Sequence, residues 1–415
     1  MPMSSPRRSR RHWRNSLAGL AVLLLAGSAR ADPADQPVAK LGDQLISVAS
    51  EGGDGSLPVF ASHALNARLP GIKRVIVMIP GADRDAEKAE ALGVAAAKQS
   101  TDILIVAPQF LDEADATQWQ LSSDRLRWHG ADWQFGAPSV ATAPVGTFSA
   151  LDALVRWLAA PELLPDLKQI VIAGRGASGA LVQRYAVIGW GLNAVEARGI
   201  AIRYVVADAP NYLYLGASRP VPPGTACAEV DQWPYGLSGA PDYVTSRSLK
   251  GIDDRYRARD VRYLLTNAVT GIADNSCAAA AQGGSIVERG RFYLGALAVQ
   301  AGAPVQRLAE IAEPGEIFAS ACGLAALTDQ PGCPALDAPP TVTMPPPVAT
   351  GGSTDGTPAG AVETPNPHAQ SPPSAQPATG PALDSADPLG AADPISPQLT
   401  KPATSPPPDR PRSPG

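Results

Sequence analysis

The stretch Gln169-Ile170-Val171-Ile172-Ala173-Gly174-Arg175-Gly176-Ala177-Ser178-Gly179-Ala180-Leu181-Val182-Gln183-Arg184-Tyr185 decides how the chain folds. A short Val/Ile-rich run bounded by glycine predicts a buried strand, and the apolar spacing after it predicts a helix. A glycine-rich turn between strand and helix presents backbone N–H groups and whatever side chain stands at its apex. Such a turn holds either a phosphate or a catalytic nucleophile. The spacing Gly174, Gly176, Gly179 satisfies G-x-G-x-x-G. A dinucleotide fingerprint belongs to the first strand of its sheet, however, with an acid about twenty residues on. Two strands precede this turn, and the next strand ends at Asp208, 34 residues after Gly174. No cofactor is therefore expected, and the turn reads as a nucleophile-type turn.

Outward from the turn, short apolar runs at 74–79, 102–107, 202–207, 261–265 and 306–312 predict further buried strands. Helical spacing appears at 86–99, 148–158, 177–190 and 290–301. Alternating strands and helices predict an α/β fold, a three-layer α/β/α sandwich around a mostly parallel sheet. Two insertions, 111–145 and 211–258, are rich in Trp, Tyr, Pro and Gly and are expected to roof the strand ends, where such folds bind ligands.

The ends of the chain differ from this domain. Residues 7–14 carry five arginines, 16–27 form an apolar run, and Ala29-Arg30-Ala31 supplies small residues two apart. That pattern predicts a signal peptide over 1–31 and export to the periplasm or medium. Ser9-Arg10-Arg11 leaves the twin-arginine route open beside general secretion. The apolar run is too short to span a bilayer, which needs about twenty residues. No integral membrane segment is expected after its removal. Loss of 1–31 takes six arginines and no acid, leaving 28 basic against 39 acidic residues (34 minus 6 against 39), a balance of −11. That acidity disfavours nucleic acid and anionic membrane surfaces as partners.

From 334 to 415 Pro, Ala, Ser, Thr and Gly dominate and aromatic residues are absent, so this segment is expected to be a disordered tail. It reads either as an envelope spacer or as a dispensable solvated end. The folded domain is thus expected over 32–333. Its four cysteines, Cys227, Cys277, Cys322 and Cys333, allow three pairings. Cys227–Cys277 and Cys322–Cys333 are those expected in an exported chain. No C-x-x-C pair or nearby histidine suggests a metal.

Several segments, taken in order, resemble the α/β-hydrolase superfamily, in particular its secreted esterase- and lipase-like members. They are Ser62-His63-Ala64-Leu65, Ile76-Val77-Met78-Ile79-Pro80-Gly81 with Arg84, Trp128, Trp133-Gln134-Phe135-Gly136, and the turn at 174–179. Tyr212-Leu213-Tyr214, Trp233-Pro234-Tyr235-Gly236-Leu237, Arg259-Asp260-Val261, Gln282-Gly283 with Glu288-Arg289-Gly290, and Phe318-Ala319-Ser320-Ala321-Cys322-Gly323 follow. The resemblance covers about 57–325. It implies a serine nucleophile at the turn, a histidine base, an acid, and backbone donors for an oxyanion, here placed at Gly81 and Ala177.

Position by position, the catalytic groups are missing. Where the superfamily turn reads Gly-His-Ser-Ala-Gly-Gly, this chain puts Gly176 at the serine position. Val269 takes the acid position, with Asp274 five residues on. The base loop, Glu313-Pro314-Gly315-Glu316-Ile317-Phe318, holds no histidine, and His-Gly before the first helix has become Pro80-Gly81. The expectation is a pseudo-hydrolase that binds a small molecule or an envelope protein through its aromatic roof (Trp128, Trp133, Tyr212, Tyr214, Trp233, Tyr235). The alternative is a secreted serine ester hydrolase with a relocated triad of Ser178, His129 and Asp208. His63 is expected to be a packed or capping histidine.

Overall fold

The computed structural model describes residues 36–50, 53–98, 100–142, 144–221, 227–266, 274–299, 305–312 and 315–337. The expected signal peptide, Val269 and the chain beyond 337 lie outside them.

Eight strands form one sheet: β1 (Gln44–Ser50), β2 (Gly53–Ala61), β3 (Arg74–Met78), β4 (Ile103–Pro108), β5 (Gln169–Arg175), β6 (Ala201–Ala207), β7 (Asp260–Thr266) and β8 (Arg307–Ile311). Their spatial order is β1-β2-β4-β3-β5-β6-β7-β8. β2 is antiparallel to both neighbours, and β3 to β8 run parallel. The main helices are α1 (Ala86–Ala97), α2 (Thr147–Leu158), α3 (Ala177–Ile188), α4 (Ile286–Val299) and α5 (Ala321–Thr328).

The parallel strands bury both faces, as β-strand alternation dictates. Val75, Val77, Leu104, Val106, Ile170 and Ile172 enter the core that α2 and α3 cover. Ile76, Met78, Ile105, Val171 and Ala173 enter the smaller core under α1 and α5. This is the three-layer α/β sandwich expected from the alternation of elements. Every residue of α3 from Ser178 to Ile188 is buried, so this helix is a central pillar rather than a surface helix.

The β1–β2 hairpin was not among the expected strands. Pro58 and the polar start of β2 mask its periodicity, yet Pro58 fits because the ladder between β2 and β4 begins only at Val59, so no ladder bond there needs the missing N–H. Both expected disulfides are present, with Cα–Cα distances of 5.7 Å for Cys227–Cys277 and 4.7 Å for Cys322–Cys333. A helical turn at Pro334–Asp337 lies beyond the expected domain boundary. It buries Leu336 in the smaller core, and Arg262 Nη1 donates to the Leu336 carbonyl at 2.8 Å.

Candidate active site

β5 delivers the chain into the turn at the carboxyl end of the sheet. Gly176 has φ +64° and ψ −125°, and α3 begins at the next residue. Close packing explains two of the three glycines. A Cβ on Gly174 would lie 2.6 Å from the Ser178 carbonyl group, and one on Gly179 would lie 2.5 Å from the Ala207 carbonyl oxygen. Strand and helix can approach this closely only without side chains there. Gly176 differs: an added Cβ would find no atom within 4 Å. The apex is open, and it is the position from which a nucleophile would project.

Ser178 lies two residues beyond the apex, in the first turn of α3, 1% exposed. Its Oγ donates to the Arg175 carbonyl at 2.9 Å and accepts from the Arg175 N–H at 3.1 Å. Both bonds return to the turn itself and hold its shape.

Asp208 follows β6 with φ +43°, and its carboxylate is buried. Oδ1 accepts from the Thr266 N–H at 2.8 Å, while Oδ2 accepts from Thr266 Oγ1 at 2.9 Å and from Arg175 Nε at 3.0 Å. Arg175 also reaches toward the loop after β8, with Nη1 3.8 Å from Glu316 Oε1. An arginine-centred ion network therefore joins the turn, the end of β6 and the loop in which the resemblance places the base. His129 is elsewhere: it is exposed, with Nδ1 3.0 Å from Glu113 Oε2. Among the described residues, no hydrogen bond links Ser178, His129 and Asp208 to one another; each is engaged by other partners. His63 Nδ1 sits 3.0 Å from Ser62 Oγ, and its carbonyl accepts from Gln44 Nε2.

The position of Asp274, beside Cys277 and its disulfide, differs from that of Asp208. Its carboxylate accepts from Asn211 Nδ2 at 2.7 Å, the Tyr235 hydroxyl at 2.9 Å and the Ser276 N–H at 3.0 Å. Burial pushes the Asp274 carboxyl up, but these donors outweigh it and hold the group below the usual aspartate range. Its partner Asn211 bonds in turn to Arg184, a fully buried arginine on α3 that also donates to the Gln134 carbonyl at 3.3 Å and the Pro234 carbonyl at 3.5 Å. Burial among these neutral acceptors lowers the Arg184 pKa to about 10. Arg184 thus ties both insertions to the central helix.

The aromatic roof requires a correction. Trp128, Trp133 and Tyr212 are fully buried, and Tyr214 is 7% exposed. Phe110 stacks on Trp133 at 4.8 Å and meets Trp128 edge-on at 5.5 Å, while Tyr212 stacks on Tyr293 at 4.7 Å. These four residues are core of the insertions, because large aromatics contribute most when fully desolvated. Of the six, Trp233 and Tyr235 keep partial exposure: Trp233 Nε1 donates to the Phe135 carbonyl at 2.9 Å, and Tyr235 faces Asp274 and Ser276.

On the other side of the turn, Gly81 follows β3 and its carbonyl accepts from the Arg84 N–H at 2.9 Å. The Arg84 side chain is buried, 2.9 Å from Asp112 Oδ2 and 3.1 Å from Asp115 Oδ2. Gly81 and Ala177 both remain partly exposed beside the apex strand. Among the described residues, no group of three His, Cys, Asp or Glu side chains could hold a metal ion, and no helix is long and apolar enough to cross a membrane.

The strand order, the antiparallel second strand and a strand-turn-helix with a positive-φ apex on β5 define the α/β-hydrolase fold. No protein-family model and no curated protein matches the chain. Among solved structures, it is similar to poly(aspartic acid) hydrolase-1 from Sphingomonas sp. KT-1, at 18% identity over 70% of this chain and 96% of that one, with a TM-score of 0.44. An esterase from the archaeon Pyrobaculum calidifontis shares 13% identity over 72% and 83% of the two chains, with a TM-score of 0.32. XC6422 from Xanthomonas campestris, a serine hydrolase without lid, shares 12% over 67% and 87%, with a TM-score of 0.31. The fold assignment rests on the strand order and the turn, not on these likenesses.

Proposed function

We propose that the chain is an exported α/β-hydrolase-fold protein without hydrolase chemistry, which acts as a binding or scaffold protein. Gly176 carries this reading: the turn keeps the geometry of a nucleophile position and lacks the atom that attacks. Acyl transfer needs an activated nucleophile within reach of a base. The Ser178 hydroxyl, two residues past the apex, is buried and bonded to its own turn. The buried carboxylate of Asp208 is engaged by Arg175 and Thr266, and His129 pairs with a surface glutamate. Two disulfides accord with an oxidising compartment, as the expected signal peptide requires.

The ligand is a small molecule or an envelope protein held at the carboxyl end of the sheet, where Trp233 and Tyr235 keep accessible surface. The chain beyond Asp337, expected as a tail, serves as a spacer. A fluorophosphonate probe, which labels activated serines, tests this on the full chain by mass spectrometry. No adduct at Ser178 is expected, and stoichiometric labelling there would restore the relocated-triad reading.

A further inference from the structure

The two disulfides stand in different surroundings. Cys333 is 2% exposed and belongs to the smaller core, with Cys322 packed against it. Cys277 is exposed and Cys227 half-buried, so a thiol in solution can reach the Cys227–Cys277 pair. Exposed disulfides are the ones that exchange with thiols. One pair is thus a fixed part of the core, and the other is open to reduction.

The open pair joins two segments that little else connects. The Tyr235 hydroxyl donates to Asp274 Oδ2 at 2.9 Å and accepts from Ser276 Oγ at 2.9 Å. Among the described residues, these are the hydrogen bonds between 227–240 and 274–282, and both pass through one hydroxyl. A disulfide sulfur carries no proton, so the 3.9 Å approach of Glu229 Oε2 to Cys277 Sγ adds none.

The two segments are unequally held elsewhere. Arg289 Nη2 donates to the Asp274 carbonyl at 3.0 Å, and the buried Gln282 exchanges two bonds of 2.8 Å with the Tyr212 backbone. The segment 274–282 therefore keeps its place without the disulfide. The segment 227–240 keeps the Tyr235 hydroxyl, the Tyr214 N–H on the Tyr235 carbonyl at 3.0 Å, and the contacts of Arg219, Arg184 and Trp233. Cleavage removes its one covalent anchor beside the site.

We infer that Cys227–Cys277 is a redox switch: its reduction by a dithiol loosens 227–240 and changes the surface that Trp233 and Tyr235 present, while the fold stays intact. One thiolate of the dithiol attacks the exposed Cys277 sulfur, and Cys227 leaves as a thiolate and takes up a proton. The second thiol, losing its proton, displaces Cys277, which is protonated in turn. The protein gains two thiols and the reductant becomes a cyclic disulfide. As regulation of that surface, the switch rests on the binding role proposed above. Its test uses no ligand, so failure of the switch leaves that role standing.

The full chain is incubated with dithiothreitol under native conditions, and its cysteines are read by alkylation and mass spectrometry and its amides by hydrogen exchange. Cys227 and Cys277 should be alkylated while Cys322 and Cys333 stay bonded. The Tyr235, Gly236 and Ser238 amides, which donate to the Gln232 and Asp231 carbonyls, should exchange about tenfold faster or more on reduction. Amides of α3 from Leu181 to Ile188 should keep their protection. Cys227→Ser/Cys277→Ser should show the same fast exchange without reductant. Three results overturn the inference: Cys227–Cys277 not reduced ahead of Cys322–Cys333, exchange at 235–238 unchanged by its reduction, or protection of α3 lost together with theirs. The last would make the bond a support of the whole fold.

Discussion

Arg175 Nε donates to Asp208 Oδ2 at 3.0 Å, directly beside the apex of the β5 turn. The pair joins two adjacent parallel strands at their carboxyl ends, and Thr266 on the next strand donates twice to the same carboxylate. A catalytic acid must be free to orient a histidine; this one is committed to an arginine and a threonine. Arg175→Ala leaves a buried carboxylate with only Thr266. Breaking a fully buried pair costs about 3–5 kcal/mol. Arg175 is 35% exposed on its side chain, so solvent screening reduces the expected loss to about 2 kcal/mol, read from urea unfolding.

Gly176→Ser places a hydroxyl at the apex of the turn. An added Cβ meets nothing within 4 Å, so the variant should fold. The positive φ costs about 1–3 kcal/mol of stability for a residue with a side chain. Ester turnover should stay at the wild-type level. Gly179→Ala should destabilise through a different cause, since its Cβ would press on the Ala207 carbonyl at 2.5 Å. Overpacking of this kind costs about 1–3 kcal/mol. Circular dichroism melts of the two variants test both statements.

Asp274 sets a pH dependence whose sign follows from its lowered carboxyl pKa. A group held below its unfolded value near 3.8 stabilises the fold above that value. It loses this contribution as pH falls through its folded pKa. The stability gap between wild type and Asp274→Asn should therefore be widest near neutrality and close in strong acid. Urea midpoints for both proteins across that range test it; a gap that widens on acidification would contradict the assignment.

The Cys227–Cys277 disulfide spans 50 residues of sequence and holds the second insertion to the loop carrying Asp274 and Ser276. Its removal as Cys227→Ser/Cys277→Ser should cost about 2–4 kcal/mol. The protein melt should shift downward accordingly, and reductant should shift the wild type in the same direction.

Much of the fold was legible because its signals are local. The Val/Ile strands, the helix after the turn and the glycine spacing each announce themselves within a dozen residues, and the alternation of elements gave the sandwich. The β1–β2 hairpin was not legible: Pro58 and the Gly-Asp-Gly-Ser start of β2 interrupt its alternation, and tertiary pairing with β4 overrides that weakness. The roof was misread for a related reason. Aromatic content marks where a segment packs, but the Trp133–Phe110 and Tyr212–Tyr293 stacks that bury it are long-range. The glycine at the apex of the turn, Gly176, was visible in the sequence. The salt bridge joining Arg175 to Asp208 was not, since nothing in the sequence aligns two strand ends 33 residues apart.

The central claim concerns chemistry at the turn, and steady-state hydrolysis of a short-chain p-nitrophenyl ester by the full chain tests it most directly. The account predicts that wild type and Ser178→Ala turn over ester at the same rate, indistinguishable from buffer. Turnover well above background in wild type that disappears in Ser178→Ala would contradict it.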